Sequence, residues 1–195
     1  MSRSADRSAQ GAALSRAVWD VLATQGLERL TVRSVAAAAG CTTGLVMHRF
    51  PNRRALLLHA RQLLHEVTLA RVEALEAAAP TIRAALRAIL LQGMSIDEQN
   101  RQEAVVWLGF LASAISDDEL IAEHRRNNHS WRARVERLTA AAAPDWAPAR
   151  VSSVALALIA MAEGAAALGA ADPAAFPATQ QVEMLDAALI AFGLF

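Results

Sequence analysis

From Leu14 onward the apolar residues of this chain recur three or four positions apart, and no stretch alternates apolar with polar as a half-buried strand would. That periodicity commits the 195 residues to packed helices. Leu14, Val18, Val21 and Leu22 form one face of a first helix ending near Gly26. Thr31 caps a short second helix with Val32, Val35, Ala36 and Ala39 inward; Gly40 closes it, and Thr42 caps a third that ends around Phe50. Pro51 and Asn52 open a long fourth helix to about Ala79, and Pro80 and Thr81 reset the chain for a fifth through about Gly93. A sixth is expected near 99–116. "SDDEL" opens a seventh to about Ala143, with Ser116 as cap and acids in the first turn, where the helix dipole favours them. Pro144 and Pro148 set off an eighth helix, about 148–171, and "ADPAAFPA" leads to a ninth, about 178–193. The expected fold is all-α, about nine helices.

Within that series, "AAAAGCTTGLVMHRFPNRR", residues 36–54, makes locally unfavourable choices. Gly44 sits inside a helix, where glycine costs about 1 kcal/mol relative to alanine. Arg53 and Arg54 open the fourth helix at the end that prefers acids. A short helix, a tight turn and a second short helix make a helix-turn-helix, whose second helix presents its N-terminal residues to the DNA major groove. Nucleic acid accounts for both oddities: a missing side chain admits close approach to the duplex, and phosphate supplies the negative charge that the two arginines' helix terminus lacks.

Charge points the same way. The formal net charge is zero, yet residues 1–65 carry nine arginines against Asp6, Asp20 and Glu28, while the remainder carries 10 arginines against 16 acids. A basic head on an acidic body suits a polyanion at one end. Cys41 is the only cysteine, which excludes an internal disulfide and fits a cytoplasmic home, and the polar first 20 residues lack the apolar core of a secretory signal. Residues 151–171 are long enough to span a bilayer, but Glu163 would then lie in the apolar half, so no membrane span is expected.

"LTVRSVAAAAGCTTGLVMHRFPNRRALL" resembles the helix-turn-helix of the TetR family of transcriptional regulators, whose pattern is T-V-x-x-I-A-x-x-A-G-V-S-x-G-x-L-Y-x-H-F-x-x-K-x-x-L. Thr31, Val32, Val35, Ala36, Ala39, Gly40, Thr42, Gly44, Val46, Phe50 and Leu56 stand at its positions, with Arg53 at the lysine. The resemblance implies a homodimer with a DNA-binding head, here 1–55, and a ligand-binding and dimerisation body, here 56–195, the boundary falling inside the fourth helix. It implies DNA contacts from Thr31, Arg33, Thr42, Thr43, Gly44, Leu45, His48, Arg49 and Arg53. Two departures from the family matter: Met47 replaces a tyrosine whose hydroxyl commonly meets a phosphate, and Arg54 replaces a common glutamate. Cys41, at the family's valine, reads as a small apolar filler.

The body is similar to the BetI-like branch of that family, which implies a small, partly apolar effector. The candidate ligand residues are Met94, Trp107, Phe110, Leu111, His124, Asn127, Trp131 and Met161. Helices eight and nine are apolar over more than one stripe: Val151, Val154, Leu158, Met161 and Leu168, then Val182, Leu185, Leu189 and Ile190. With Gly164 and Gly169 admitting close approach, they are expected to pair with their copies in a four-helix bundle.

Catalysis is not expected. His59 and His65 lie six apart and His124 and His129 five apart, so neither pair has the i, i+4 spacing of a helical metal site. No nucleophile elbow, phosphate-cradling glycine loop or paired carboxylates occur, and no metal or cofactor is implied. The sequence thus favours a ligand-responsive, dimeric repressor on a near-palindromic operator, released by an inducer. An architectural or ligand-independent DNA-binding protein is the alternative.

Overall fold

The computed structural model describes residues 2–195, with side chains from Gln10 onward. Among these residues there are nine α-helices and no strand: α1 Ser2–Gln25, α2 Val32–Ala39, α3 Thr43–Arg49, α4 Arg53–Ala78, α5 Ile82–Gln92, α6 Glu98–Ala114, α7 Asp118–Ala142, α8 Pro148–Ala171 and α9 Ala178–Phe192. A 3-10 turn at Leu27–Arg29, which carries no periodicity to read, joins α1 to α2. The chain divides into two compact units. The first comprises the chain through Glu66 with Val105–Glu123; the second comprises Val67–Ala104 with His124–Phe195. The head expected over 1–55 lies within the first unit, which also takes in part of α4, part of α6 and the start of α7.

The first unit buries the expected face of α1. Leu14, Val18, Val21 and Leu22 pack with Leu30, Val35, Val46, Phe50, Leu56 and Phe110 in one core. Each fully buried aliphatic side chain contributes about 1.5–3 kcal/mol, so this cluster holds elements too short to persist alone. Cys41 is half-buried against the same core, as a small filler would be. The N-terminus of α7 differs from expectation. Its cap is Asp117, whose Oδ1 accepts from the Glu119 and Leu120 amides at 3.1 Å each, rather than Ser116, which is exposed one residue earlier. Burial of Leu120 selects between two adjacent residues that are both good caps.

The second unit is built on Leu86, Ile89 and Leu90 of α5, Val135 and Leu138 of α7, Val154 and Leu158 of α8, and Leu185 and Leu189 of α9. Thr81 caps α5 through the Ala84 amide at 3.1 Å. Ion pairs brace its flanks. Arg71 grips Glu103 in a two-bonded pair at 2.8 and 3.0 Å, and Arg87 grips Asp186 at 2.6 and 2.9 Å. The Arg87 hydrogen bond holds the Asp186 carboxyl below the usual carboxylate range. Arg134 of α7 reaches Glu73 and Glu76 of α4.

Helix α8 is long and apolar enough to cross a bilayer, but 44% of its most apolar window is buried inside the chain. Val151, Val154, Leu158, Leu185 and Leu189, expected at a dimer face, lie in the chain's own core. Gly169 likewise serves an internal contact. A Cβ there would fall 2.3 Å from Gln181 Nε2 and 3.1 Å from Ser95 Cβ. The buried Gln181 amide accepts from the Ser95 amide at 3.1 Å and donates to the Ser95 and Phe176 carbonyls at 3.2 and 2.9 Å. Gly169 therefore leaves room for the polar knot joining the α5–α6 connection to α8 and α9. Gly169→Ala is expected to lower stability by about 1–3 kcal/mol, because Gln181 must abandon these bonds. Chemical denaturation checks this, and unchanged stability would show the knot to be slack.

Candidate nucleic-acid interface

Local chemistry fixes the α2–turn–α3 segment. Thr31 and Ser34 form a reciprocal cap: the Ser34 amide donates to Thr31 Oγ1 at 3.1 Å and the Thr31 amide to Ser34 Oγ at 2.9 Å. The Ser34 hydroxyl also reaches the Arg29 carbonyl at 2.7 Å, tying the 3-10 turn to α2. Gly40 has φ 63°, the left-handed conformation, and the Gly40 and Cys41 amides close α2 onto the Ala37 and Ala36 carbonyls. Thr42 then caps α3 with a long bond, 3.4 Å from the Leu45 amide.

Helix α3 spends little of itself on the fold. Of its seven residues only Val46 is buried. Thr42, Thr43, Gly44, Met47, His48 and Arg49 are exposed and Leu45 is half-buried. Gly44 is helical and has no positive φ, and a Cβ there would meet nothing nearer than Thr42 Oγ1 at 4.0 Å. Nothing inside the chain requires glycine at that position, so its cost in helix propensity is left for an external surface to offset.

Thr31 and Arg33 are exposed on the same α2–α3 segment. Helix α4 starts with Asn52 as its cap, Oδ1 accepting from the Ala55 amide at 2.9 Å. Arg53, exposed, donates through Nη2 to the Leu27 carbonyl at 3.1 Å and lies 3.8 Å from the Glu28 carboxylate. Arg54 does not need phosphate to balance it, contrary to expectation. It donates to Asp117 at 2.8 Å and to Glu119 at 3.4 Å, a pairing between residues 63 and 65 positions apart. The Leu120 amide, followed by Arg54, holds the Asp117 carboxyl below its ordinary range.

Behind α3, His59 of α4 packs tilted against Phe50 at 4.9 Å and lies 2.8 Å from Ser15 Oγ of α1. The Ser15 hydroxyl is also 3.0 Å from the Gly11 carbonyl, so its single hydrogen is shared between that carbonyl and a neutral His59 Nε2, or His59 Nε2–H donates to it, according to the tautomer. Burial, then the charge of Arg49, holds His59 below its ordinary pKa against an opposing pull from Glu66.

Two family models cover most of the chain. Residues 15–60 match the tetR family of bacterial regulatory proteins, and residues 80–192, more than half of the chain, match the BetI-type transcriptional repressor C-terminal family. The chain belongs to the TetR family. Among curated relatives, the HTH-type transcriptional regulator BetI of Stenotrophomonas maltophilia is 32% identical over 116 residues, 59% of each chain. PksA of Bacillus subtilis is 28% identical over 101 residues, 52% of this chain and 49% of that one. The matches thus span only about half to three-fifths of those relatives. A solved transcriptional regulator from Rhodococcus sp. is 27% identical with a TM-score of 0.83, over 92% of this chain and 94% of that one. A solved regulator from Saccharomonospora viridis, in complex with choline, has the same fold: TM-score 0.85 at 14% identity, over 94% of this chain and 96% of that one.

For a TetR-family body the candidate ligand residues are distributed. Trp107, Phe110 and Leu111 belong to the first unit; Met94, His124, Asn127, Trp131 and Met161 belong to the second. Phe110 is buried beneath the Arg61 guanidinium, 5.8 Å from its ring centroid, and Trp107 packs half-buried on the same core. Met94 is buried in the second core, with Trp131 and Met161 half-buried against it; Asn127 is buried and His124 half-buried. None of the eight lines the open groove of about 390 Å³ in the second unit, which is walled by Arg71, Leu75, Arg87, Leu91, Ile96 and Asn100. Sequence reasoning missed that groove, and also Ser34 and the Leu27–Arg29 turn; the S/T-x-x-S spacing of Thr31 and Ser34 was the one available signal.

The lowered His59 pKa has a signed consequence. Between the folded and unfolded values the unfolded chain binds the proton and the folded one does not, so stability is retained above about pH 6.5 and falls as pH drops below it. His59→Gln keeps an amide donor for Ser15 without titrating. Its melting temperature is expected to fall less than the wild type's between pH 7 and pH 5. Equal slopes in thermal denaturation would assign the acid sensitivity elsewhere, with His65, also lowered chiefly by burial, next in line.

Proposed function

We propose that this TetR-family chain is a ligand-responsive transcriptional repressor that binds a near-palindromic operator as a homodimer in the cytoplasm and is released by a small-molecule inducer. The observation that carries the DNA reading is Gly44, a helical glycine that the fold does not use, on a helix whose exposed residues all face outward. In this reading Thr42, Thr43, Gly44 and Leu45 meet base edges and nearby backbone, with the Leu45 side chain suited to a thymine methyl. His48 and Arg49 reach the groove or its phosphates, and Thr31, Arg33 and Arg53 hold phosphates. Met47 has no hydroxyl to give a phosphate, so it adds no polar contact.

Binding selection from genomic DNA with the purified protein tests the reading and recovers the operator. Against that site, Gly44→Leu is expected to weaken binding at least 100-fold while leaving the melting temperature within a few degrees, since no atom of the chain stands in the way. Retained tight binding would show that α3 does not enter the groove.

The dimer reading rests on the outward faces of α8 and α9. Leu156 and Leu168 on α8, and Met184 and Ile190 on α9, are exposed at 51%, 48%, 39% and 62%. Ala157, Ala160 and Ala187 continue these faces, and nothing lies within 4 Å of a Cβ built at Gly164. A continuous small and apolar face of this kind suits a second copy packed helix against helix. Leu156→Glu combined with Ile190→Glu is expected to convert a dimer into a monomer in sedimentation velocity and to weaken operator binding with it. A wild-type chain that sediments as a monomer would remove this part of the proposal.

The effector is proposed to be a small, partly apolar molecule held by residues among Met94, Trp107, Phe110, Leu111, His124, Asn127, Trp131 and Met161. The choline held by the Saccharomonospora viridis protein supports that size class, and aromatic faces suit such a cation. Release requires only that the effector bind the DNA-incompetent state better, by about 1–3 kcal/mol, with α4, whose residues belong to both units, carrying the change.

A further inference from the structure

The 3-10 turn at Leu27–Arg29 has little to hold it in place by itself. It is three residues long, follows Gly26 at φ 77°, has no side-chain cap and contains no fully buried residue. Its Leu27 carbonyl nevertheless accepts two bonds, from the Leu30 amide at 3.1 Å and from Arg53 Nη2 at 3.1 Å. A carbonyl has two lone pairs, so both are occupied, and the second bond ties the exposed guanidinium to the turn, with the Glu28 carboxylate 3.8 Å from the same nitrogen.

What fixes Leu27 is α6. A Cβ built at Gly109 would lie 3.0 Å from Leu27 Cβ, 3.4 Å from its Cδ2 and 3.6 Å from its Cγ. Gly109 has no positive φ, so packing against Leu27, not backbone conformation, calls for glycine there. An alanine would push the turn outward by a few tenths of an ångström, because the nearest atom is the stiff Cβ rather than a mobile chain end.

We propose that Gly109 and Leu27 are positioning residues for Arg53: α6 seats the turn, and the turn's carbonyl presets the guanidinium that receives a DNA phosphate. The inference rests on the reading of Arg53 as a phosphate contact. One donor held by Leu27 leaves Arg53 the others of its five for an anion. A side chain already ordered loses less rotamer freedom on binding than one that must be ordered there. The same turn also receives the Ser34 hydroxyl on the Arg29 carbonyl, so it buttresses the cap that carries Thr31.

The test is a double-mutant cycle on the full-length protein, with the duplex recovered by genomic selection as probe and affinity measured across a salt series. Gly109→Ala is expected to remain folded by thermal denaturation and to weaken binding about fivefold, while flattening the salt dependence toward the loss of about one phosphate contact that is expected of Arg53→Ala. In the Arg53→Ala background Gly109→Ala should cost less than about twofold, because the residue it positions is gone. Leu27→Ala, which removes the support without a clash, should behave the same way and carries the cycle alone should Gly109→Ala not fold. Equal losses in the two backgrounds, or no loss from either substitution, would overturn the proposal while leaving the DNA reading intact. A wild-type protein that binds no duplex at all would remove both.

Discussion

Burial of Val46 and Phe50 beneath the α2–α3 turn is the interaction on which the outward surface of the head depends. Helix α3 has seven residues, too few to form a stable helix unaided, and its cap bond is long. Its shape is imposed from below by these two anchors and from one end by the left-handed Gly40. Because Val46, with the half-buried Leu45 beside it, suffices to hold it, the other five residues are released from packing duty and are left as a surface for another molecule. The same economy explains why the segment looks unfavourable read alone.

Glycine has three physically different jobs in this chain. At Gly40 the backbone adopts a conformation that side chains resist. At Gly109 and Gly169 the backbone is ordinary and the neighbours leave no room for a methyl. At Gly44 neither reason applies. Of these four positions only Gly44 points outside the molecule, and that is why it weighs more in the functional reading than the more constrained glycines do.

The local features were legible in advance because they act over a single turn of helix. The face of Leu14, Val18, Val21 and Leu22, the caps at Thr31, Thr42 and Thr81 and the closure at Gly40 all follow from spacing and from side chains that reach three residues along the chain. The cap of α7 falls one residue later than expected because serine and aspartate cap helices about equally well, and the choice was settled by where Leu120 finds its core. The match of the chain to the TetR and BetI-type models was likewise readable from the α2–α3 motif and the aromatic spacing of the body.

By itself, then, the sequence determined the helices, most of their ends and the identity of the motif, since periodicity and capping are short-range physics. The tertiary structure alone decided which apolar stripe of α8 and α9 turns inward and which stays outside, because periodicity says that a face is apolar but not what covers it. It alone matched Arg54 to Asp117 and Glu119, seated Leu27 on Gly109 and threaded Gln181 past Gly169, contacts between residues 63 to 86 apart or defined by the absence of a side chain. Partners so distant along the chain leave no local trace, and a glycine's missing atom has meaning only once the atom that would collide with it is in place.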